Sequence, residues 1–167
     1  ATVLFEAMHT GHSVYATLHA DTAAETVSRL TNPPLSVPPN LLGAVDLNVV
    51  MFRDRKKGIR RVFQLAEVES GDENASANIL YRWVPEGDKI VKHGESSRFF
   101  EDITRMTGMS QKELNEHLKE KKQILEWLIK HNIRDLQSFG KIMNIYYGDK
   151  DILLDAVKKD DVKILEK

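Results

Sequence analysis

The spacing of apolar residues changes once along this chain of 167 residues, close to residue 95. Before that point the apolar runs are short, rich in β-branched residues and separated by Gly and Pro, which is typical of strands and hairpins. After it, apolar residues recur every three or four positions, which is typical of amphipathic helices. We therefore predict an α/β part over residues 1–95 and a small all-helical part over residues 96–167.

The first part opens with a predicted helix over residues 2–9 that ends at Gly11, since glycine commonly terminates helices. Residues 14–20 alternate between apolar and polar side chains, and this period of two predicts a strand. Thr22 and Glu25 have the spacing of a capping box, which predicts that a second helix begins there.

Two hairpins are predicted behind this helix. The first has a charged tip that contains Gly58, and the second turns at Pro85-Glu86-Gly87-Asp88. The four predicted strands cover residues 47–52, 62–68, 79–83 and 89–91.

In the second part, helical composition begins at residue 97, and Ser110 with Glu113 forms another predicted capping box. Asp135 is the predicted cap of the following helix, and a last helix carries Ile152. The long helix after Ser110 has an apolar stripe that we assign to the core. Its members are Leu114, Leu118, Leu125, Leu128 and Ile129.

Charge and cysteine content exclude several kinds of function. The chain has 24 Lys and Arg against 25 Asp and Glu, so its net charge of -1 gives no electrostatic reason to expect a nucleic-acid partner. Cysteine is absent, which excludes thiol catalysis, disulfides and cysteine-rich zinc sites. No apolar run approaches the length that spans a membrane.

The segment Thr10–Asp21 is the richest in chemistry, because His12 and His19 bracket the predicted strand. His19 would leave that strand at its carboxyl end, where open α/β sheets bind ligands. A neutral imidazole can donate a hydrogen bond to a phosphoryl oxygen or orient water, and a protonated one adds positive charge. The alternative is structural: one histidine in a turn and one at a strand end.

A metal site is the competing interpretation of His9, His12 and His19. Zinc prefers paired ligands a few residues apart, and His9 and His12 have that spacing. Gly11 interrupts the helix between them, however, and no cysteine can complete the ligand set. We therefore predict no metal site.

One dense basic cluster lies in the first hairpin. It is interpreted either as a solvated tip or as a surface for a neighbouring subunit or an acidic partner. No aromatic residues alternate with its charges, so stacking on single-stranded nucleic acid is not supported. A helix-turn-helix around Asp135 is also disfavoured, since residues 135–141 offer only Lys141 as a cation. The cluster comprises Arg53, Arg55, Lys56, Lys57, Arg60 and Arg61.

The order of motifs around the histidines resembles a known family. The chain resembles the histidine box of the type II/type IV secretion and archaellum/pilus assembly ATPases. The motifs that carry the resemblance are, in order, Thr10-Gly11-His12, a short strand, Thr17-Leu18-His19-Ala20, a capped helix, and Arg29-Leu30 before a proline stop. Phe5-Glu6-Ala7-Met8 is similar to the segment just after the Walker B region of that family.

The resemblance extends to the helical part. Three short segments are similar to the helical tail of archaeal members: Glu126-Trp127-Leu128, Ile133-Arg134-Asp135 and Tyr146-Tyr147-Gly148-Asp149. The implied fold is the C-terminal half of a RecA-like P-loop ATPase domain, followed by a small helical subdomain.

The resemblance also implies a function. Such proteins are hexamers that hydrolyse ATP with Mg²⁺ at subunit interfaces. They lie in the cytoplasm, peripheral to the inner face of the membrane, and drive a membrane platform protein of the secretion or pilus machinery. Carried over by position, His19 is the first catalytic candidate, His12 the second and Arg29 the third.

This chain departs from the family because it contains no Gly-x-x-x-x-Gly-Lys-Ser/Thr loop, aspartate box or Walker B carboxylate. We therefore expect it to bind no cofactor and to hydrolyse no ATP by itself. It is either an excised C-terminal part or a degenerate relative, and an apolar helix that starts at Ala1 without Met favours excision. The alternative function is a non-catalytic adaptor that binds proteins through its helical part.

Overall fold

The computed structural model describes residues 2–165, so the expectation of a helix interrupted at Ala1 lies outside the described residues, as do Glu166 and Lys167. The chain divides into two units between Met106 and Thr107. The elements of the first unit are α1 (Thr2–His9), α2 (Ala23–Thr31), a 3₁₀ helix (Pro39–Ala44), β1 (Asn48–Asp54), β2 (Ile59–Ser70), β3 (Ala75–Val84), β4 (Lys89–Lys92) and α3 (Phe99–Thr107).

The four strands form one antiparallel sheet in the order β1-β2-β3-β4. Gln64 in the middle of β2 lies opposite Val50 on one side and Arg82 on the other. Both predicted hairpins are confirmed, and a further turn between β2 and β3 joins them into a meander.

The prediction of a strand over residues 14–20 is wrong. The whole segment 12–20 has no regular secondary structure. A period of two indicates an extended chain, but a strand also needs a neighbour to complete its hydrogen bonds, and this segment pairs with no strand among residues 2–165. The sheet is antiparallel throughout its described strands, so His19 does not leave a parallel strand at its carboxyl end.

The helices of the first unit pack on the sheet through two small apolar clusters. Phe5 of α1 and Val27 of α2 are buried with Leu42 and Val68 in the larger cluster. In the smaller one, Ala23 at the start of α2 contacts buried side chains of β1 and β2. These contacts fix both ends of the histidine segment, because α1 precedes it and α2 follows it.

The division between the units falls before the last residue of α3, whereas the sequence suggested a boundary near residue 95. The reason is a set of polar contacts that attaches the start of α3 to β2 and to the segment before β1. Arg98, which precedes α3, donates to the backbone O of Val45 at 3.2 Å. The backbone N–H of Phe99 donates to Glu67 of β2 at 3.1 Å.

The second unit is helical, as the sequence predicted. Ser110 and Glu113 form the expected capping box, and the Asp135 carboxylate accepts from the N–H of Ser138 at 2.7 Å. No helix in the described part of the chain is both long and apolar enough to cross a bilayer. The elements are α4 (Gln111–Lys130), α5 (Leu136–Gly148), α6 (Lys150–Lys158) and a 3₁₀ helix (Val162–Leu165).

The apolar stripe predicted for α4 is only partly in the core. Leu114 and Leu128 are buried, but Leu118, Leu125 and Ile129 are exposed. The buried face of α4 instead includes side chains that the predicted stripe did not contain. With residues of α5, α6 and the second 3₁₀ helix they form one cluster: Ile124, Trp127, Leu128, Ile142, Tyr146, Leu153, Ala156 and Ile164.

Candidate functional site

His12 is held by the end of α1. Its Nδ1 lies 3.1 Å from the backbone O of Ala7 and 3.1 Å from Oγ1 of Thr10. The Thr10 hydroxyl donates to the same carbonyl at 2.8 Å, so both neighbours of Nδ1 act as acceptors. Nδ1 must therefore carry the hydrogen, and in the neutral ring Nε2 remains an acceptor. The same Ala7 carbonyl also accepts from the backbone N–H groups of Thr10 and His12, both at 3.2 Å, so the ring is one of several donors that gather at this helix end.

His19 lies on the surface of the first unit, two residues before Asp21. Among residues 2–165 it makes no hydrogen bond or ion pair, so both ring nitrogens can meet a ligand or water. The structure does not bring His12 and His19 into contact.

The start of α2 is fixed from both sides. The Thr22 hydroxyl accepts from the N–H of Glu25 at 3.0 Å, as the predicted cap requires. The Glu25 carboxylate accepts at 2.7 Å from the N–H of Asp21, one residue before the position expected for a capping box. From the sheet, the buried side-chain oxygen of Gln64 accepts from the N–H of Ala23 at 2.8 Å. The backbone just after His19 is thus held in one conformation.

Arg29 is the third candidate and already has a partner. Its guanidinium contacts the Glu25 carboxylate one turn earlier on α2, with an N–O distance of 2.7 Å. The hydrogen bond from Asp21 and the Arg29 side chain lower the pKa of Glu25. Arg29 is therefore held on the α2 surface by the same carboxylate that fixes the backbone before the helix.

The metal interpretation finds no geometry in its favour. Among residues 2–165, no group of three His, Cys, Asp or Glu side chains is close enough to hold a metal ion. We assign no metal ligand to His9, His12 or His19.

A second polar centre, which the sequence did not predict, surrounds Glu67 of β2. Its side chain is 0% exposed. One carboxylate oxygen accepts from Asn78 at 2.8 Å and from the backbone N–H of Ser97 at 2.5 Å. The other accepts from the Ser96 hydroxyl at 2.9 Å and from the N–H of Phe99 at 3.1 Å. Both oxygens are thus saturated with donors.

These donors determine the ionisation of Glu67. Burial would raise the pKa of its carboxyl, but the hydrogen bonds from Ser97, Phe99 and Ser96 outweigh burial and lower the pKa from 4.5 to about 2. Glu67 is therefore a carboxylate at neutral pH, and it lies at the positive N-terminal end of α3. The signal in the sequence is a charged residue inside the apolar run Ala66-Glu67-Val68.

Asp88 in the turn between β3 and β4 connects the ends of the two hairpins. It accepts from Arg61 Nε at 2.6 Å and from the indole Nε1 of Trp83 at 2.7 Å. These hydrogen bonds lower the pKa of Asp88 from 3.8 to about 2. The Trp83 ring also stacks on Phe52 with ring centroids 5.2 Å apart. Arg61 thus has a structural partner, whereas the other members of the basic cluster form no ion pair within residues 2–165.

Glu120 lies at the centre of a polar network in the second unit. The buried Tyr146 hydroxyl donates to Glu120 at 2.9 Å. Because its one hydrogen is used there, the Tyr146 oxygen accepts the second hydrogen bond, which His117 Nδ1–H donates at 2.8 Å. Lys150 donates to Glu120 at 3.0 Å. Burial and the Glu120 carboxylate raise the pKa of Tyr146. Every member has a partner, so this network joins α4, α5 and α6 rather than presenting a free reactive group.

Comparison with known proteins places the histidine segment in a family context. Residues 1–57 match the family model described as "Type II/IV secretion system protein". That range contains His12, His19 and Arg29. Residues 1–57 are therefore a region related to the ATPases of type II/IV secretion systems.

Three relatives come from Methanocaldococcus jannaschii, and all three bear the description "uncharacterized protein". The chain is 29% identical to MJ0781 over 147 residues, which is 85% of this chain and 20% of that protein. It is 29% identical to MJ0900, covering 88% of this chain and 28% of the relative. It is 30% identical to MJ1287, covering 78% of this chain and 50% of that relative. This chain thus spans between a fifth and a half of the length of these relatives.

Proposed function

We propose that this chain corresponds to the C-terminal part of an archaeal-type secretion or archaellum/pilus assembly ATPase, and that it supplies the histidine box and a helical tail. The observation that carries the proposal is the family match over residues 1–57, which covers the whole histidine segment. The length of the relatives supports it, because each leaves room for a P-loop that this sequence does not contain.

In this proposal His19 acts on the terminal phosphates of ATP. Its exposed ring and its lack of partners among the described residues support such a role. Phosphoryl transfer requires little covalent help from the protein, so positioning and charge stabilisation dominate. The His19 imidazole would donate a hydrogen bond to a phosphoryl oxygen or orient the attacking water.

His12 would have a different role in ATP hydrolysis. Because its Nδ1–H is engaged with Ala7 and Thr10, only Nε2 can face a ligand. A neutral Nε2 accepts a hydrogen bond, which suits a water molecule rather than a phosphate oxygen. Arg29 would add positive charge at the same site, provided that it turns away from Glu25 when nucleotide binds.

The complete protein would be a hexamer that hydrolyses ATP and drives a membrane platform protein from the cytoplasmic side, peripheral to the membrane. Mg²⁺ would arrive with the nucleotide. The residues described here contain no cluster of acidic side chains suited to it, so we assign no Mg²⁺ ligand to this chain and no step through the ion. The isolated chain, which lacks the P-loop sequence, should not turn over ATP.

The test is His19→Ala in the longer protein that carries this chain, with His9→Ala as the matched control, since both histidines are exposed in the same region. We expect His19→Ala to lower kcat by about 100-fold, as for the loss of one charge-stabilising donor. The Kd for ATP should change by less than about 3-fold, which corresponds to less than ~1 kcal/mol. Equal loss of turnover and ATP binding would show that His19 has a structural role.

One observation favours the adaptor as a second candidate. Leu118, Leu125 and Ile129 leave an apolar stripe exposed on α4. If the chain is an adaptor, Leu118→Asp with Ile129→Asp should abolish binding to the platform protein, whereas His19→Ala should leave that binding intact. Sedimentation of the purified chain with platform-containing vesicles would separate the two candidates.

A further inference from the structure

The tip of the hairpin between β1 and β2 concentrates positive charge. We call this surface the basic hairpin tip. Its side chains are all exposed, and among residues 2–165 none of them makes an ion pair. The basic hairpin tip consists of Arg53, Arg55, Lys56, Lys57 and Arg60.

The strand register intensifies the charge. Arg53 of β1 lies directly opposite Arg60 of β2. Like charges at directly opposed positions repel one another and weaken a strand pair. The hairpin therefore contains a local electrostatic penalty, which an external anion would relieve.

Three other arginines of the first unit have carboxylate partners within the chain. Arg61 pairs with Asp88, Arg98 with Asp102, and Arg105 also with Asp102. The carboxylate inside the tip, Asp54, serves the turn instead: its Oδ1 accepts from the N–H of Lys56 at 2.9 Å and of Lys57 at 3.1 Å. The tip thus lacks the internal compensation that these neighbouring arginines have.

An apolar side chain adjoins these cations. Met51 is 62% exposed and lies two residues before Arg53, so the two side chains share a face of β1. Residues 53–60 contain no aromatic side chain on which a base could stack. An exposed apolar side chain next to arginines fits an acidic protein segment with apolar side chains better than it fits nucleic acid.

We propose that the basic hairpin tip is the docking surface for an acidic segment of another protein. Carboxylates of that segment contact Arg53 and Arg60, whose planar guanidinium groups bind carboxylates through two parallel hydrogen bonds. An apolar side chain of the segment covers Met51. This inference does not depend on the ATPase assignment, because it uses no residue of the histidine segment.

The experiment measures binding of the full chain to a fluorescein-labelled peptide of repeated Glu-Leu-Glu-Ser units by fluorescence anisotropy. The test variant is Arg53→Glu with Arg60→Glu. The control is Lys112→Glu with Lys119→Glu, which changes the net charge equally at exposed positions of α4. We expect at least a 10-fold loss of affinity in the test variant and less than a 2-fold loss in the control. Binding should weaken between about 50 mM and about 200 mM NaCl, as expected for exposed charges.

Four results would overturn the proposal. The first two are no binding of the acidic peptide by the wild-type chain, and an equal loss of peptide affinity in both variants. The third is tighter binding of duplex DNA or phosphatidylserine vesicles than of the peptide, and the fourth is self-association of the wild type that Arg53→Glu with Arg60→Glu abolishes. The last would assign the surface to a second copy of the chain. Circular dichroism of both variants establishes that they are folded. A test variant that unfolds is replaced by Arg53→Gln with Arg60→Gln, for which the same loss of affinity is expected.

Discussion

The carboxylate of Glu67 accepts a hydrogen bond from the backbone N–H of Phe99, the first residue of α3, at 3.1 Å. A second side chain of β2 has the same relationship with another helix, since Gln64 accepts from the N–H of Ala23 at the start of α2 at 2.8 Å. The first N–H groups of a helix have no partner within it, so both contacts satisfy donors that would otherwise be lost on burial. Strand β2 thus positions the N-termini of two helices.

Replacing Glu67 by Gln should destabilise the first unit. The amide would remove the charge and point an NH₂ group at donors that need an acceptor, at a cost of about 2–4 kcal/mol. Urea unfolding followed by Trp83 fluorescence in a Trp127→Phe background would report on this unit alone, because the chain has 2 tryptophans and each unit contains one. Glu73→Gln in the exposed turn is the control and should change stability by less than about 0.5 kcal/mol.

Acid should remove the contribution of Glu67. Its pKa is about 2 in the folded chain and 4.5 at its ordinary value, so the native state favours the charged form. The stabilisation is complete above pH 4.5 and decreases as the pH falls from 4.5 towards 2. The Glu67→Gln variant should therefore lose less stability than the wild type over that interval. Parallel urea titrations would contradict the assignment if both proteins lost the same amount.

Gln64→Ala should loosen the segment that carries His19. The substitution leaves the N–H of Ala23 buried without an acceptor, which costs about 1–3 kcal/mol. Amide hydrogen exchange should become faster at residues 21–25 and stay unchanged in α4, which belongs to the other unit. Unaltered exchange at the start of α2 would show that Thr22 alone is sufficient to hold this helix end.

The neighbours Ile124 and Leu125 should respond differently to truncation. Ile124 is 1% exposed and Leu125 is 46% exposed, although they are adjacent on α4. Ile124→Ala should cost about 2–4 kcal/mol, because it leaves a cavity in the core of the second unit. Leu125→Ala should cost less than about 1 kcal/mol. Urea unfolding monitored by Trp127 in a Trp83→Phe background compares them, and similar losses would mean that Leu125 is buried in solution.

Local signals in the sequence were sufficient for much of the fold. The two hairpins, the helix caps at Thr22, Ser110 and Asp135, and the change to a helical unit all depend on residues close together in the chain. The apolar spacing of α4 was less informative, because a helix with apolar residues on two sides does not reveal which side the other helices cover. Packing placed Ile124 and Trp127 inside and left Ile129 exposed.

By itself, the sequence determined the elements whose hydrogen bonds are local, and it indicated the relation to type II/IV secretion system proteins that the family match over residues 1–57 supports. The tertiary structure decided the features that depend on partners distant in the sequence, such as strand pairing and the environment of buried charges. Residues 14–20 alternate like a strand but pair with no strand in the part of the chain that the structure describes, so they stay irregular. Glu67 became a buried anion only because residues 96–99 fold back over β2, and no pattern near residue 67 indicates which donors arrive there. Hydrogen bonds within an element follow from spacing along the chain, whereas those between elements require the fold to form first.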